Sequence, residues 1–136
     1  MKIKINIKKE GAMLPTRAHY NDVGADVYAQ EDCLIEPYST AKIPLGFGLE
    51  LPDGYMAIVQ SRSGLAGKGI ACEMAPVDSG YKGEIHAIVT NHGRQIYRIQ
   101  KGDRIGQIVI YPIIYADFVA DLGEERKDGA FGSTGR

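Results

Sequence analysis

The residues best suited to chemistry lie in the stretch 75–84. It carries an acid, Asp78, at an expected turn, and an aromatic residue, Tyr81, between two glycines. The alternating run 85–89 has the period of a strand, so the sequence predicts a hairpin that displays both side chains at its bend. A carboxylate beside an aromatic ring can serve a small-molecule pocket. The alternative is a structural role, in which Asp78 and Ser79 hydrogen-bond the turn and Tyr81 covers the edge of a core.

A second candidate is the stretch 61–69, whose composition suits a phosphate chain. Its three glycines, two serines, Arg62 and Lys68 can present backbone N–H groups, hydroxyls and cations together. The spacing of a Walker A loop is missing. A turn with incidental charges is therefore the alternative.

Asp26 is a third candidate because it lies among small and apolar residues in the run 23–29. A partly buried carboxylate needs a cationic partner, a hydrogen-bond donor or a metal ion. Taken alone, Asp26 also fits a structural aspartate whose partners lie within the fold.

The last stretch, 122–136, is rich in glycine, hydroxyl and charged residues around Phe131. It has too little apolar surface to fold on its own, so we expect a flexible arm. Such an arm can close over a nucleotide, with N–H and O–H groups on the phosphates and Phe131 on the base. A disordered tail is the alternative.

Composition limits the class of protein. A chain of 136 residues fits one domain, which we expect over residues 1–121. Sixteen basic and seventeen acidic residues leave a net charge of -1, which argues against a nucleic-acid footprint or an anionic membrane as partner. The three histidines have no metal-ligand spacing, so a zinc site is not expected.

The expected location is intracellular. The first residues alternate as a strand does and lack the apolar core of a signal peptide, and no run approaches the roughly 20 apolar residues of a membrane span. Cys33 and Cys72 are too few for a disulfide framework, so we expect free thiols in a reducing compartment.

The elements that must hold these candidates are short strands. Turn signals recur every roughly 8 to 12 residues, which predicts an all-β sandwich or barrel. Residues 2–8 are the first expected strand, and Pro52-Asp53-Gly54 predicts a hairpin between the runs 46–51 and 55–60. A single helical turn is expected, at residues 65–68.

With the whole chain in view, it resembles the trimeric deoxyuridine triphosphate nucleotidohydrolases, the dUTPases. The resemblance is carried, in chain order, by the segments 24–27, 62–66, 77–84 and 102–107 and by Arg126 with 131–135. It implies hydrolysis of dUTP to dUMP and pyrophosphate, with Mg²⁺ on the triphosphate. It also implies a homotrimer of distorted jelly-roll β-barrel subunits (the β-clip fold), in which the arm of one chain closes over a site formed by the others.

The resemblance also assigns roles to residues. Asp78 would activate the attacking water, Tyr81 would stack on the deoxyribose and exclude a 2′-hydroxyl, and Asp26 would hold water bound to Mg²⁺. The remaining substrate-binding residues it implies are Arg62, Ser63, Gly64, Val77 and Gln107 in the body of the chain, and Arg126, Phe131, Gly132, Ser133 and Thr134 on the arm.

The chain departs from the family pattern near the base pocket. Many bacterial members have asparagine where this chain has Cys72 and glycine where it has Ala75, and Pro76 removes one N–H from the same wall. A thiol is a poor substitute for an amide that both donates and accepts. Uracil would then be recognised by backbone groups of the hairpin.

Other functions remain as alternatives at this stage. A dCTP deaminase, or a bifunctional deaminase, shares the architecture but is usually longer and uses a glutamate base. A regulator that binds dUTP with little turnover is an alternative from another class, although Asp78 argues against it. A sugar-binding jelly roll would leave the composition of the arm unexplained.

Overall fold

A computed structural model describes residues 1–123. These residues form eleven strands and one helical turn. The elements, in chain order, are β1 Lys4–Ile7, β2 Ala25–Tyr28, β3 Cys33–Ile35, β4 Thr40–Pro44, β5 Phe47–Glu50, β6 Tyr55–Gln60, α1 Ser63–Ala66, β7 Ile70–Cys72, β8 Pro76–Val77, β9 His86–Asn91, β10 Tyr97–Ile99 and β11 Arg104–Pro112. The all-β prediction is confirmed, and the expected helical turn lies two residues earlier than predicted.

The strands pair antiparallel in four sheets. The largest has the order β2-β11-β6-β8, the next has the order β4-β9-β7, and β1-β5 and β10-β3 are two-stranded. Within residues 1–123, hydrogen-bonded pairing does not join these sheets into one closed barrel. The architecture is jelly-roll-like, with the sheets packed around one core.

Alternation along the strands builds that core. On β6, Ala57 and Val59 are buried between half-buried neighbours. On β9, Ala87 is buried between half-buried His86 and Ile88, and Val89 is buried next. Because successive side chains of a strand point to opposite faces, this pattern places one face of each sheet inside. The largest fully buried side chains are those of Phe47, Ile35, Ile43, Leu45, Ile99, Val27, Val89 and Asn91.

Two predicted hairpins are wrong in their pairing. Gly54 has the positive φ expected of the turn, +88°, but β5 pairs with β1, whereas β6 pairs with β11 and β8. Likewise, the strand after Asp78, β9, pairs with β4 and β7, while β8 pairs with β6. In both places the chain turns as predicted and then enters a different sheet, because a turn fixes a reversal and not the partner of the next strand.

After β11 the chain has no regular secondary structure up to residue 123, the last described. Ile114, Phe118, Val119 and Leu122 in this stretch are exposed. The predicted arm and its candidates Arg126, Phe131, Gly132, Ser133 and Thr134 lie outside the described residues, apart from the first two residues of the arm. The boundary at residue 121 therefore stays a prediction. No helix among residues 1–123 has the length and apolar character needed to cross a membrane.

Candidate active site

A cavity of about 250 Å³ opens between the two arms of the Asp78 loop. Val77, Asp78 and Tyr81, three residues singled out from the sequence, line it together. Its other lining residues are Lys42, Ala75, Pro76, Glu84, Ile85, His86 and Ile88. The cavity therefore combines two carboxylates, a lysine, a histidine and an aromatic ring with apolar walls.

The cavity exists because the arms of the loop separate. The N–H of Glu73 donates to the carbonyl of Ile88 at 2.7 Å, which extends the pairing of β7 with β9 by one residue. Beyond that point the chain leaves β9 and joins β6 through Pro76 and Val77. Beyond Glu73 the two arms of the loop are therefore paired with other strands and not with each other.

Tyr81 is held at the rim of this cavity by local bonds. Its N–H donates to the carbonyl of Asp78 at 3.0 Å, and its hydroxyl donates to the carbonyl of Glu84 at 2.7 Å. Gly83 lies against the ring, since a Cβ there would come within 2.6 Å of the Tyr81 hydroxyl oxygen. The side chain remains 46% exposed, which leaves part of its surface free to contact a ligand.

The backbone beneath the ring rests directly on β5. A Cβ at Gly48 would lie 2.5 Å from the carbonyl oxygen of Gly83. Close by, Glu84 accepts a hydrogen bond from the N–H of Gly46 at 2.9 Å. The close contact between Gly48 and Gly83 and the hydrogen bond from Gly46 to Glu84 together fix the distance between the Tyr81 loop and β5.

A second group of candidates surrounds Asp26. Its carboxylate lies 3.4 Å from Nε of Arg62 and 3.7 Å from Nη1 of Arg104, and its side chain is 24% exposed. Arg62 also donates to the carbonyl of Arg104 at 3.4 Å. The partly buried carboxylate has the cationic partners that its position requires.

Gln107 belongs to the same group. It lies opposite Asp26 in the pairing of β11 with β2, and its side-chain amide donates to the carbonyl of Ser61 at 3.0 Å. Gly24 is needed beside it, because a Cβ there would approach Oε1 of Gln107 to 2.5 Å. Ser63 and Gly64 open α1 immediately after Arg62, and the first N–H groups of a helix have no partner within it.

This group fits an ion carried by a substrate better than a built metal cage. Among residues 1–123, no three side chains of the His, Cys, Asp or Glu type converge as metal ligands. Two guanidinium groups offset the charge of Asp26 and disfavour direct binding of a bare cation. Mg²⁺ keeps several waters and leans on phosphates, so one outer-sphere carboxylate suits it.

The two groups lie at opposite edges of one sheet. Asp26 is on β2 and Val77 on β8, three strand spacings apart in the order β2-β11-β6-β8. Gln107 faces Gln60 and Val77 faces Ala57, three residues further along β6. With roughly 4.8 Å per strand and 3.3 Å per residue, Asp26 and Val77 are about 17 Å apart along the sheet. Hydrogen bonds span about 3 Å, so these two groups, called half-sites below, do not contact each other directly within one chain.

The comparison with known proteins identifies the family. The dUTPase family model matches residues 10–135 of this chain. The chain belongs to the dUTPase family. A curated dUTPase-family relative, the deoxyuridine 5'-triphosphate nucleotidohydrolase of Clostridium tetani, is 43% identical over 140 residues, which cover 98% of this chain and 97% of the relative.

Solved dUTPase structures have the same fold. A variant of the Staphylococcus bacteriophage 80alpha dUTPase, solved with dUpNHpp, superposes with a TM-score of 0.80 at 27% identity and covers 99% of both chains. A mutant dUTPase from phage phi11 of S. aureus, described with a structural Mg(II) ion, gives a TM-score of 0.85 at 24% identity over 93% of this chain and 100% of that one. The all-β, jelly-roll-like fold of this dUTPase-family chain is thus the one expected from its sequence, although the strand pairing of residues 1–123 does not show a closed barrel.

Sequence reasoning missed Arg104, Glu84, Lys42 and His86 as neighbours of the candidates. Arg104 lies inside the segment 102–107, but the register of β11 against β2 shifts between Arg104 and Gly106. Strand alternation cannot predict on which face a residue lies across such an irregularity. Lys42 comes from β4, and nothing in the local sequence connects it with Asp78.

Cys72 faces the core. Its thiol lies 3.4 Å from the carbonyl of Ile105 and is buried on β7, and it does not line the cavity. Burial, with a smaller contribution from the charge of Glu73, raises the pKa of Cys72 from 9.0 to about 11. The thiol of Cys72 is therefore neutral at physiological pH and packs as a small apolar side chain in the core.

This raised pKa predicts a loss of stability at alkaline pH. Because the folded chain disfavours the thiolate, the contribution of Cys72 is complete below pH 9 and lost as pH rises through 11. The full contribution is about 3 kcal/mol of the free energy of unfolding, of which about 2 kcal/mol is lost by pH 10.5. Urea unfolding from pH 8 to 10.5 should therefore show a steeper decline for the unmodified protein than for Cys72→Ala. Cys33→Ala, at a half-buried thiol, is the matched control, and parallel curves for all three proteins would contradict the assignment.

Proposed function

We propose that this chain hydrolyses dUTP to dUMP and pyrophosphate, with Asp78 as the general base. The observation that supports this best is the cavity in which an exposed carboxylate stands beside the ring of Tyr81. In a dUTPase-family chain, such a cavity offers a deoxynucleoside a ring to stack on and places a base within reach of its α-phosphate.

The chemistry requires one proton acceptor. A water oxygen attacks the α-phosphorus, the bond between that phosphorus and the oxygen bridging to the β-phosphate breaks, and pyrophosphate leaves. Asp78 takes the proton that the water loses and returns it to solvent after product release. Asp78 is exposed and, within the described residues, its carboxylate has no hydrogen bond or ion pair, so it is free to bind this water.

The nucleoside is recognised by shape and by backbone groups. Tyr81 packs on the deoxyribose and leaves no room for a 2′-hydroxyl, which rejects UTP by steric exclusion. Val77 forms the opposite wall. Because the Cys72 thiol is directed to Ile105, it does not face the base, and N–H and carbonyl groups of the separated arms are the groups that pair with uracil.

The phosphates are held at the other half-site. Arg62 and Gln107 donate to phosphate oxygens, and Ser63 and Gly64 add a hydroxyl and backbone N–H groups. Asp26 would hold Mg²⁺ through one of its bound waters. Mg²⁺, when bound with the triphosphate, neutralises part of its charge. The chain's own contribution to this step is positioning, which is the main source of catalysis in phosphoryl transfer.

A complete site then needs more than one copy of the chain. The separation of about 17 Å between the half-sites supports a homotrimer in which Asp78 of one subunit faces Arg62 of another. We propose that the C-terminal arm of a subunit closes this shared site. In that arm Arg126 pairs with the γ-phosphate and Phe131 covers the uracil, while Gly132, Ser133 and Thr134 cradle the terminal phosphate.

The nucleotide substrate and the two free thiols support an intracellular location. Besides the other subunits, we propose dUTP as the partner of this chain, and we expect neither nucleic acid nor a membrane.

The decisive experiment is pyrophosphate release, measured with Mg²⁺ on dUTP, dCTP, dTTP and UTP side by side. We expect release from dUTP alone. Release of ammonia from dCTP would favour a deaminase on the same fold. Tight dUTP binding with no release would favour a nucleotide-sensing protein, and comparable rates on dUTP and UTP would contradict the role of Tyr81.

A further inference from the structure

The loop that carries Asp78 is anchored from outside the cavity. The neighbour of Asp78 in the chain, Ser79, is half-buried, and its hydroxyl donates to a carboxylate oxygen of Asp53 at 3.2 Å. Asp53 belongs to the turn between β5 and β6. Since Asp78, Gly80 and Tyr81 are all exposed, little apolar burial holds the loop, and its hydrogen bonds determine its position.

The turn that anchors Ser79 is itself clamped by the segment after β11. The carbonyl of Gly54 accepts a hydrogen bond from the N–H of Ile113 at 2.8 Å, and the N–H of Gly54 donates to the hydroxyl of Tyr115 at 2.9 Å. The Tyr115 hydroxyl also lies 3.5 Å from the Ser79 hydroxyl. Three segments distant in sequence thus meet beside Asp78.

We propose that Asp53, Ser79 and Tyr115 form a positioning network that holds the Asp78 loop in its catalytic place. This inference rests on the proposed function of Asp78. None of the three side chains lines the cavity, so they act through the loop and do not touch the substrate. Tyr115 lies in the segment that leads from β11 to the C-terminal residues. A shift of that segment would therefore also shift Asp78, the general base.

The network predicts how the loop responds when single atoms are removed. Tyr115→Phe and Ser79→Ala each delete one hydroxyl and leave the ring or the backbone in place. Each change is expected to lower kcat for dUTP about fivefold. KM should stay within about threefold, because Tyr81, a proposed substrate contact on this loop, has its own hydrogen bonds to Asp78 and Glu84, and the residues proposed to bind the phosphates are elsewhere. Tyr20→Phe is the matched control, since that ring is 96% exposed and should change neither constant.

Two further measurements separate a positioning role from a general structural one. The kcat of the double variant should lie within about twofold of that of the slower single variant, because both changes break the same network. If the two changes acted independently, their effects on kcat would multiply. Asp53→Asn, which keeps an oxygen acceptor for Ser79, should retain activity that Asp53→Ala loses.

A readout without substrate tests the loop directly. In nucleotide-free protein, hydrogen exchange of the peptide that contains the Tyr81 amide should accelerate about fivefold in Tyr115→Phe and Ser79→Ala and stay unchanged in Tyr20→Phe. Unchanged exchange in the first two, or multiplying kcat effects, would overturn the network. If the unmodified protein released no pyrophosphate from dUTP, the proposed function would fail, and the exchange result would still decide whether the network holds the loop.

Discussion

Asp78→Asn is expected to lower kcat for dUTP by about 10²- to 10⁴-fold, the range that general base catalysis contributes. Asparagine keeps the shape of the side chain but does not accept the proton that the attacking water must lose. The fold and the affinity for dUTP should change little, because Asp78 is exposed and the residues proposed to bind the phosphates lie at the other half-site. Single-turnover kinetics with Mg²⁺ and dUTP binding by calorimetry measure the two quantities separately.

Asp117→Asn is a suitable control for this experiment, since it makes the same chemical change at another exposed position. It should retain the full rate. A loss of less than about tenfold in Asp78→Asn would mean that another group takes the proton, and His86, which lines the same cavity, would then be tested next.

Mixed oligomers of two inactive variants should recover activity. Arg62→Gln removes the charge proposed to contact the phosphates and is expected to lower kcat/KM about 10- to 100-fold. When it is co-expressed with Asp78→Asn, a site that combines the intact Asp78 of one chain with the intact Arg62 of another is complete. In a cyclic trimer each mixed assembly contains one such site in three, so about a third of the full rate should return.

The measurement requires two different affinity tags, one on each variant, and purification through both tags in turn. Each variant purified as a homo-oligomer gives the background rate. If Asp78 and Arg62 served the same site within one chain, no mixture would exceed this background. Recovery would therefore establish the shared site that the 17 Å estimate supports.

Local chemistry predicted part of this structure well. Glycine at position 54 was expected to adopt a positive φ, and it does. Alternation located β9, whose first four residues are in turn half-buried and buried. Strand partners were not predictable in this way, since the pairing of β5 with β1 and of β8 with β6 depends on the packing of whole sheets.

In the candidate site too, groupings of sequence neighbours could be predicted, whereas contacts between distant segments could not. Val77, Asp78 and Tyr81 share a cavity because they are neighbours in one loop, so sequence alone was enough to group them. The contact of Asp26 with Arg62 joins β2 to the residues that follow β6, and it required the topology. Arg104 joins them only because β11 is irregular beside β2, and alternation gives no signal for it.

The contact between the backbones at Gly48 and Gly83 has a consequence for how this sequence can vary. A side chain at position 48 would meet a carbonyl oxygen at 2.5 Å, and backbone cannot move aside as the end of a flexible side chain can. Substitution of Gly48 on β5 is therefore restricted by a loop more than thirty positions later in the chain. This restriction holds even for residues that favour β-strands. Libraries that randomise this strand to gain stability should keep glycine at position 48. Most other residues there would displace the Tyr81 loop, and such variants would lose activity.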